Sequence, residues 1–290
     1  MWAVYAFLSA FFTATIDPIA KRALKNTDEY LVGWMLLSAS TFFLAFYCLS
    51  HKMPPFSPRL LMTLLAVIPF EILATVLYYR ALRLTDISLS VPFLALTPVF
   101  VILTALLILG ERSGIAGMAG ILLIATGVYS LNIKEAKYGW TSPIRAIFMN
   151  KGSLYMVLVA LIFGLTSTIS KKVMLLSSPE SAPFIYNLSI TIAMAPIVVY
   201  RLRNGLSVLN QDRRVVFSYA ALGLLSALSS VFYFKAIAFA NVAYVISIKR
   251  LSLLMSVGYG WLFFKERDIR IRLLGTFCMF LGVALILICK

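Results

Sequence analysis

Water cannot be the main solvent of a chain whose apolar residues fall into ten runs separated by brief polar breaks, because each run approaches the roughly 20 residues a helix needs to cross a bilayer. The expected spans are Trp2–Leu24, Glu29–Ser50, Leu60–Leu82, Ile87–Leu109, Gly114–Ile133, Ser153–Leu175, Ala182–Tyr200, Val215–Ala238, Val242–Phe264 and Ile269–Cys289. The runs are continuously apolar, whereas membrane strands alternate apolar and polar positions over about ten residues. Helices are therefore expected, and the fold class is an all-α integral membrane protein. A composition 61% hydrophobic and 13% charged agrees, since it is far more apolar than soluble domains. The longest polar connection, Lys134 to Gly152, is too short to fold alone. The first span is too long for a signal-peptide core and reads as a retained helix.

Several chemistries are excluded. Cys48, Cys278 and Cys289 are scattered and odd in number, unlike a zinc site or a disulfide framework, and are expected to be membrane-facing packing residues. His51, the only histidine, lies in a loop before Pro54 and Pro55, so neither a histidine metal cluster nor a Ser/His triad can form. No enzyme activity, metal or other cofactor is expected. The net charge of +15 does not imply nucleic acid, because the basic residues sit at helix ends and in loops rather than on one soluble face. Clusters such as Arg201, Arg203, Arg213, Arg214 and Lys265, Arg267, Arg270, Arg272 suit a surface facing anionic membrane lipid.

The chain also repeats itself. LYYRALRLTD at Leu77–Asp86 and a later GER are matched by FYFKAIAFAN at Phe232–Asn241 and a later KER. An offset of 155 pairs Tyr78 with Tyr233, Arg80 with Lys235, Glu111 with Glu266 and Arg112 with Arg267. An offset of 150 pairs Lys21 in PIAKRAL with Lys171 in TISKKVM. The expected division is 1–137 for spans 1–5 and 138–290 for spans 6–10. Five is odd, so the second half enters the membrane with opposite orientation, and inverted repeats of this kind recur in secondary transporters.

GER at Gly110–Arg112, FKER at Phe264–Arg267, and YYRAL and FYFKA before them resemble the EamA-like branch of the drug/metabolite transporter superfamily, over nearly the whole chain. The resemblance implies ten helices around a central cavity, lined by the third, fourth, eighth and ninth spans and their neighbours. It also implies cytoplasmic termini. Charge counting favours the opposite, because loops after the odd-numbered spans carry most basic residues, including Lys134, Lys137, Arg145 and Lys151, against Lys52, Arg59, Arg112 and Lys290 on the other side. Orientation stays open.

Lys249 and Arg250 stand in the apolar run YVISIKRLSLLM, about seven residues or roughly 10 Å into the ninth span. Either their stems snorkel to the interface or they border a hydrated cavity. The matching positions, Leu94 and Ala95, are apolar, which points to function. An arginine fork beside a lysine point charge suits a phosphate or carboxylate. The pair also resembles the phosphate clamp of triose-phosphate translocators in the same superfamily.

Glu71, two residues after Pro69 in the third span, is a candidate for proton coupling or a counter-ion to the pair, or else a neutral packed acid. Asp17 before Pro18 is similar, though Lys21 one turn later offers it a partner. Tyr78 and Tyr233 offer hydroxyls and ring faces to a substrate, or anchor at the interface. Lys171, beside Lys172, is a secondary binding candidate or a snorkelling residue. Pro92, Pro98, Gly258 and Gly260 allow the fourth and ninth spans to bend, or merely pack. The series Gly114, Gly117, Gly120 favours close helix contact over a nucleotide loop. NLS at Asn187–Ser189 is a glycosylation sequon inside a span.

The expected function is secondary active transport of a small polar or anionic metabolite by alternating access in the plasma or inner membrane. The protein would act as a monomer or homodimer, with substrate-binding Lys249, Arg250, Tyr233, Tyr78 and Lys171 and possible coupling through Glu71 or Asp17. The alternatives are export of amino acids or other neutral metabolites, and a non-transporting membrane partner or lipid-handling subunit.

Overall fold

A computed structural model describes residues 1–25, 27–51, 53, 57–110, 117–131, 133–203, 213–266 and 269–288. Glu111, Arg112, Gly114, Arg267, Lys52, Cys289 and Lys290 lie outside the described residues. The described chain is helical, with α1 Trp2–Ala23, α2 Glu29–Leu49, α3 Pro58–Leu84, α4 Ile87–Ser90, α5 Thr97–Leu109, α6 Gly117–Leu131, α7 Ser142–Met149, α8 Lys151–Leu176, α9 Ala182–Arg203, α10 Arg213–Phe239, α11 Val242–Lys249, α12 Leu251–Phe264 and α13 Ile269–Ile288. No strand occurs among these residues. Eight helical segments are long and apolar enough to cross a membrane, and they correspond to eight of the ten expected runs. The other two runs correspond to α6 and α13, which pack along one another.

Local chemistry sets the boundaries. The Asp28 carboxylate accepts from the Tyr30 N–H at 2.9 Å to start α2, and the Ser57 hydroxyl accepts from Leu60 at 3.1 Å to start α3, with Pro58 in its first turn. The Asn150 side chain does the same for α8 through the Ser153 N–H at 3.0 Å. Such side chains satisfy amides that have no partner within the helix. Two helices stop on left-handed residues, α5 at Gly110 (φ 69°) and α12 at Lys265 (φ 51°). These positions correspond in the GER and KER motifs.

The fourth and ninth apolar runs are not continuous helices. A 3₁₀ stretch, Val91–Leu96, carrying Pro92, divides α4 from α5, and Arg250 divides α11 from α12. The second break therefore falls on the cation pair and not on Gly258 or Gly260, both within α12. A Cβ at Gly260 would lie 2.5 Å from Glu266 Oε2, so this glycine makes room for that carboxylate.

The helices meet through small residues and hydroxyls. Hydrocarbon supplies no hydrophobic drive between helices, so close backbone approach matters. A Cβ at Gly282 would sit 2.5 Å from the Gly120 carbonyl oxygen, and one at Gly127 2.7 Å from that of Gly275. Gly120 is thus a close-contact residue between α6 and α13, as its spacing suggests. In α1 and α10, Ser229 Oγ lies 2.8 Å from Thr13 Oγ1 and 3.1 Å from Ser9 Oγ. Thr104 of α5 bonds Thr168 Oγ1 and the Gly164 carbonyl of α8, both at 2.9 Å. Cys48 is buried beside Met53 and does not face the membrane, correcting the expectation for it.

The connection between α6 and α8 is ordered in part by the short helix α7, which exposes Ile144, Phe148 and Met149, with Trp140 just before it. These exposed apolar side chains, with exposed Arg145 among them, suit a membrane surface.

A lysine in the left-handed region carries a steric cost that glycine avoids. Lys265→Gly is expected to stabilise the fold by about 1 kcal/mol after the entropy of glycine is deducted. Thermal unfolding in detergent measures this, and an unchanged or lower melting temperature would contradict it.

Candidate functional site

A cavity of about 260 Å³ opens inside the bundle, with walls from α1, α2, α3, the 3₁₀ stretch and α8 to α12. Asp17, Glu71, Tyr78, Tyr233, Lys249 and Arg250 all line it. These six come from four expected spans, the first, third, eighth and ninth, and the fold brings them together. Lys171 is not among the lining residues.

Arg250 is the least satisfied group in the cavity wall. The residue is 5% exposed, and its Nε has no hydrogen-bond partner. No carboxylate among the described residues lies within ion-pair distance of it. Its backbone is well held, since the N–H bonds the Ile246 and Ser247 carbonyls at 3.1 Å each. The break in the helix thus fixes the Cα while the guanidinium remains available. The Lys249 ammonium lies 4.7 Å above the Tyr233 ring, a cation–π contact. Snorkelling does not describe this pair, because both line the cavity.

The two acids are held by hydroxyls. Tyr78 donates a short hydrogen bond to Asp17 Oδ1, and Ser256 donates to Oδ2 at 2.6 Å. Asp17 thereby links α1, α3 and α12 and is 2% exposed. It does not pair with Lys21, correcting that expectation: the Lys21 ammonium instead bonds the Thr85 carbonyl at 2.9 Å and Glu266 at 3.3 Å. Glu71 accepts from the Tyr186 hydroxyl at 2.7 Å. Tyr233 mirrors Tyr78 in place but meets hydroxyl chemistry, its oxygen 3.0 Å from Ser170 Oγ. Both tyrosines are on the cavity wall and not at an interface.

Lys171 has a different task. Its ammonium donates to the Ala240 carbonyl at 2.9 Å. Lys21 makes the same kind of bond to Thr85, the residue 155 positions before Ala240. Both lysines tie off the loop before a broken helix, so Lys171 reads as a structural clasp.

The described half of the Glu-Arg motif explains itself at one end of the bundle. Glu266 accepts from the Ile87 and Ser88 N–H groups at 2.9 Å each, capping α4. Lys21 at 3.3 Å and Arg272 at 3.8 Å surround it. Anions at a helix N-terminus are stabilised by its dipole and free amides. Arg83–Glu29 at 2.9 Å and Arg201–Asp28 at 3.6 Å extend this paired layer.

Sequence reasoning missed Tyr186, Asn187 and Ser256. Tyr186 and Asn187 both line the cavity, and their adjacent polar groups in an apolar run were the available signal. The Asn187 amide donates to the Pro183 carbonyl at 2.9 Å and the residue is buried, so the sequon is inaccessible. Ser256 carries no signal, because its partner is 239 positions away.

The sequence profile of the EamA-like transporter family matches residues 1–133 and, separately, 150–288. The chain belongs to the EamA-like transporter family. EamA-like proteins are membrane transporters, which agrees with the apolar helices and the internal cavity. A solved structure titled only "Crystal structure of protein" is similar to this EamA-family chain with a TM-score of 0.70, over 98% of this chain and 95% of its own. Their sequence identity is 14%, so the likeness concerns the fold alone. No curated protein matches the chain.

An unpaired guanidinium inside a bundle lowers stability. Arg250→Met is therefore expected to stabilise this EamA-family protein by about 1–4 kcal/mol. Chemical or thermal unfolding measures it, and a destabilised variant would show that Arg250 holds the fold together.

Proposed function

We propose that this protein is a secondary active transporter moving a small anionic or polar metabolite by alternating access, with Lys249 and Arg250 holding the negative group. The observation that carries the reading is Arg250 itself: buried, fixed at a helix break, lining the cavity and with Nε unpartnered. A cation kept in such a place without a counter-ion is costly unless an anion visits. The planar fork of Arg250 would take the anion in a bidentate grip, and Lys249 would add a movable charge.

The bundle would consist of ten helices as two inverted halves, 1–137 and 138–290. The two profile matches and the paired clasps Lys21–Thr85 and Lys171–Ala240 support that reading. The breaks at Val91–Leu96 and at Arg250 stand at corresponding positions and would be where the fourth and ninth helices flex. Glu71 is the proposed coupling group, since it shares the cavity with Lys249 and is held by a tyrosine that can exchange partners. Asp17 would instead lock α1 to α3 and α12. The membrane would be the plasma or inner membrane, and Tyr78 and Tyr233 would frame the substrate.

One observation favours a second reading, export of amino acids or other zwitterions: the same cavity carries carboxylates as well as cations. Thermal-shift titration with phosphorylated, carboxylate and amino-acid ligands separates the two.

Charge-assisted hydrogen bonds contribute about 1.5–3 kcal/mol, so Lys249→Ala and Arg250→Ala should each weaken binding of the transported anion about tenfold or more. Both variants should remain folded. Uptake into proteoliposomes at the wild-type rate by both would reject the clamp. In the same assay Glu71→Gln should abolish the response to a pH gradient while leaving exchange of solute for solute, and an unaltered pH response would remove Glu71 from the coupling step.

A further inference from the structure

A second, separate groove lies on the seam between α1 and α12. Thr15, Pro18, Ile19 and Arg22 form one stripe of α1, and Tyr259 and Phe263 are one turn apart on α12. Together they enclose about 170 Å³. None of these six residues lines the central cavity. Phe263 is 45% exposed and Arg22 is exposed, its guanidinium 5.2 Å from the Phe263 ring. The groove is apolar along its length and cationic at its end.

The surrounding charge is unbalanced. Arg22, Lys25, Lys265 and Arg270 are all exposed at this end. The described acids here are engaged elsewhere: Glu266 with Lys21 and Arg272, Asp86 with Arg272, Glu29 with Arg83 and Asp28 with Arg201. Four cations are left without a carboxylate among the described residues. A groove open to hydrocarbon excludes water as its filling, and a cation at the headgroup level attracts lipid phosphate.

We propose that this groove binds an anionic phospholipid, one acyl chain lying against Pro18, Ile19, Tyr259 and Phe263 and the phosphate on Arg22. Its position gives the lipid a lever. Pro18 faces the groove while its neighbour Asp17 faces the central cavity, where it accepts from Ser256 of α12 at 2.6 Å. The same pair of helices is thus joined by the Asp17–Ser256 bond inside and by the lipid outside. A bound lipid would favour the conformation in which that seam is closed, because a ligand shifts an equilibrium toward the state that binds it better.

The test uses purified full-length protein in detergent, titrated with phosphatidylglycerol, with phosphatidylcholine of the same chains, with short-chain phosphatidylglycerol, and with inorganic phosphate. Native mass spectrometry counts retained lipid and thermal unfolding reports its effect. Long-chain phosphatidylglycerol should be retained and should raise the melting temperature. Arg22→Gln should weaken that retention about fivefold, the value of one cation near an anionic headgroup. Arg145→Gln, an exposed cation on α7 outside the groove, should leave it unchanged. Phe263→Ala should reduce retention of the long-chain lipid while leaving the protein folded. Equal retention of the two headgroups, equal stabilisation by inorganic phosphate or the short-chain lipid, or equal losses in the Arg22 and Arg145 variants would each overturn the proposal. The clamp of Lys249 and Arg250 stands or falls separately, since neither residue touches the groove.

Discussion

Hydrocarbon offers no hydrogen bonds, so every peptide group at membrane depth must find a partner within the protein. The described chain obeys this by being helical throughout its long apolar runs. The consequence of interest lies where the rule is strained. Helical bonding is interrupted at Val91–Leu96 and at Arg250, and an interruption is tolerated only when it faces protein or a water-filled hollow. Val91, Leu94 and Arg250 all line the central cavity. The breaks and the cavity therefore require one another: the polar hollow permits the irregular backbone, and the irregular backbone aims Lys249 and Arg250 into it.

Two populations of charge follow from position. At the end of the bundle, Glu266, Lys21, Arg272, Asp86, Glu29 and Arg83 are matched to one another or to a helix terminus. Such matching fixes the loops and leaves none of these six groups for a ligand. Deeper in, the partners change character. Asp17 and Glu71 meet hydroxyls, Lys249 meets a ring, and the Arg250 Nε meets nothing. Hydroxyls and rings can be exchanged for substrate groups at little cost, whereas a closed ion pair in low dielectric is expensive to open. That contrast is what separates scaffold from site in this protein, more than burial does, since Glu266 is buried almost as deeply as Arg250.

The legible part of the sequence was the part governed by solvent. Eight spans and the oddity of Lys249–Arg250 follow from the mismatch between residue polarity and hydrocarbon. Long-range pairing was not legible. Lys21 looked like a partner for Asp17 because it stands one turn away, yet it reaches Thr85 and Glu266 instead. Local spacing cannot reveal a competitor that arrives 245 positions later. The bond of Lys171 was hidden for the same reason: its carbonyl partner, Ala240, is anonymous in sequence because the donor meets backbone and not a side chain. Gly258 and Gly260 suggest a bend in the ninth run, but flexibility is only permission, and the break falls instead at Arg250, whose N–H completes α11 and whose carbonyl accepts from the Leu253 N–H to open α12.

The unequal pair of breaks also bears on how a transporter of this kind can favour one solute. Leu94 occupies one wall of the cavity, and Lys249, 155 positions later, occupies another. Two identical polar breaks would confront an anion with charge from both sides, and release would be slow in either direction. An apolar break packed beside a cationic one would, under the proposed function, leave an anion held on the broken ninth helix alone, by groups whose other contacts are a ring and a vacant hydrogen-bonding position. A solute held from one side can be carried with that helix as it moves past its neighbour. The apolar wall can part from it without breaking a charged contact. Conduction requires attraction strong enough for entry and weak enough for departure, and the proposed one-sided clamp would meet both demands with a single charged element.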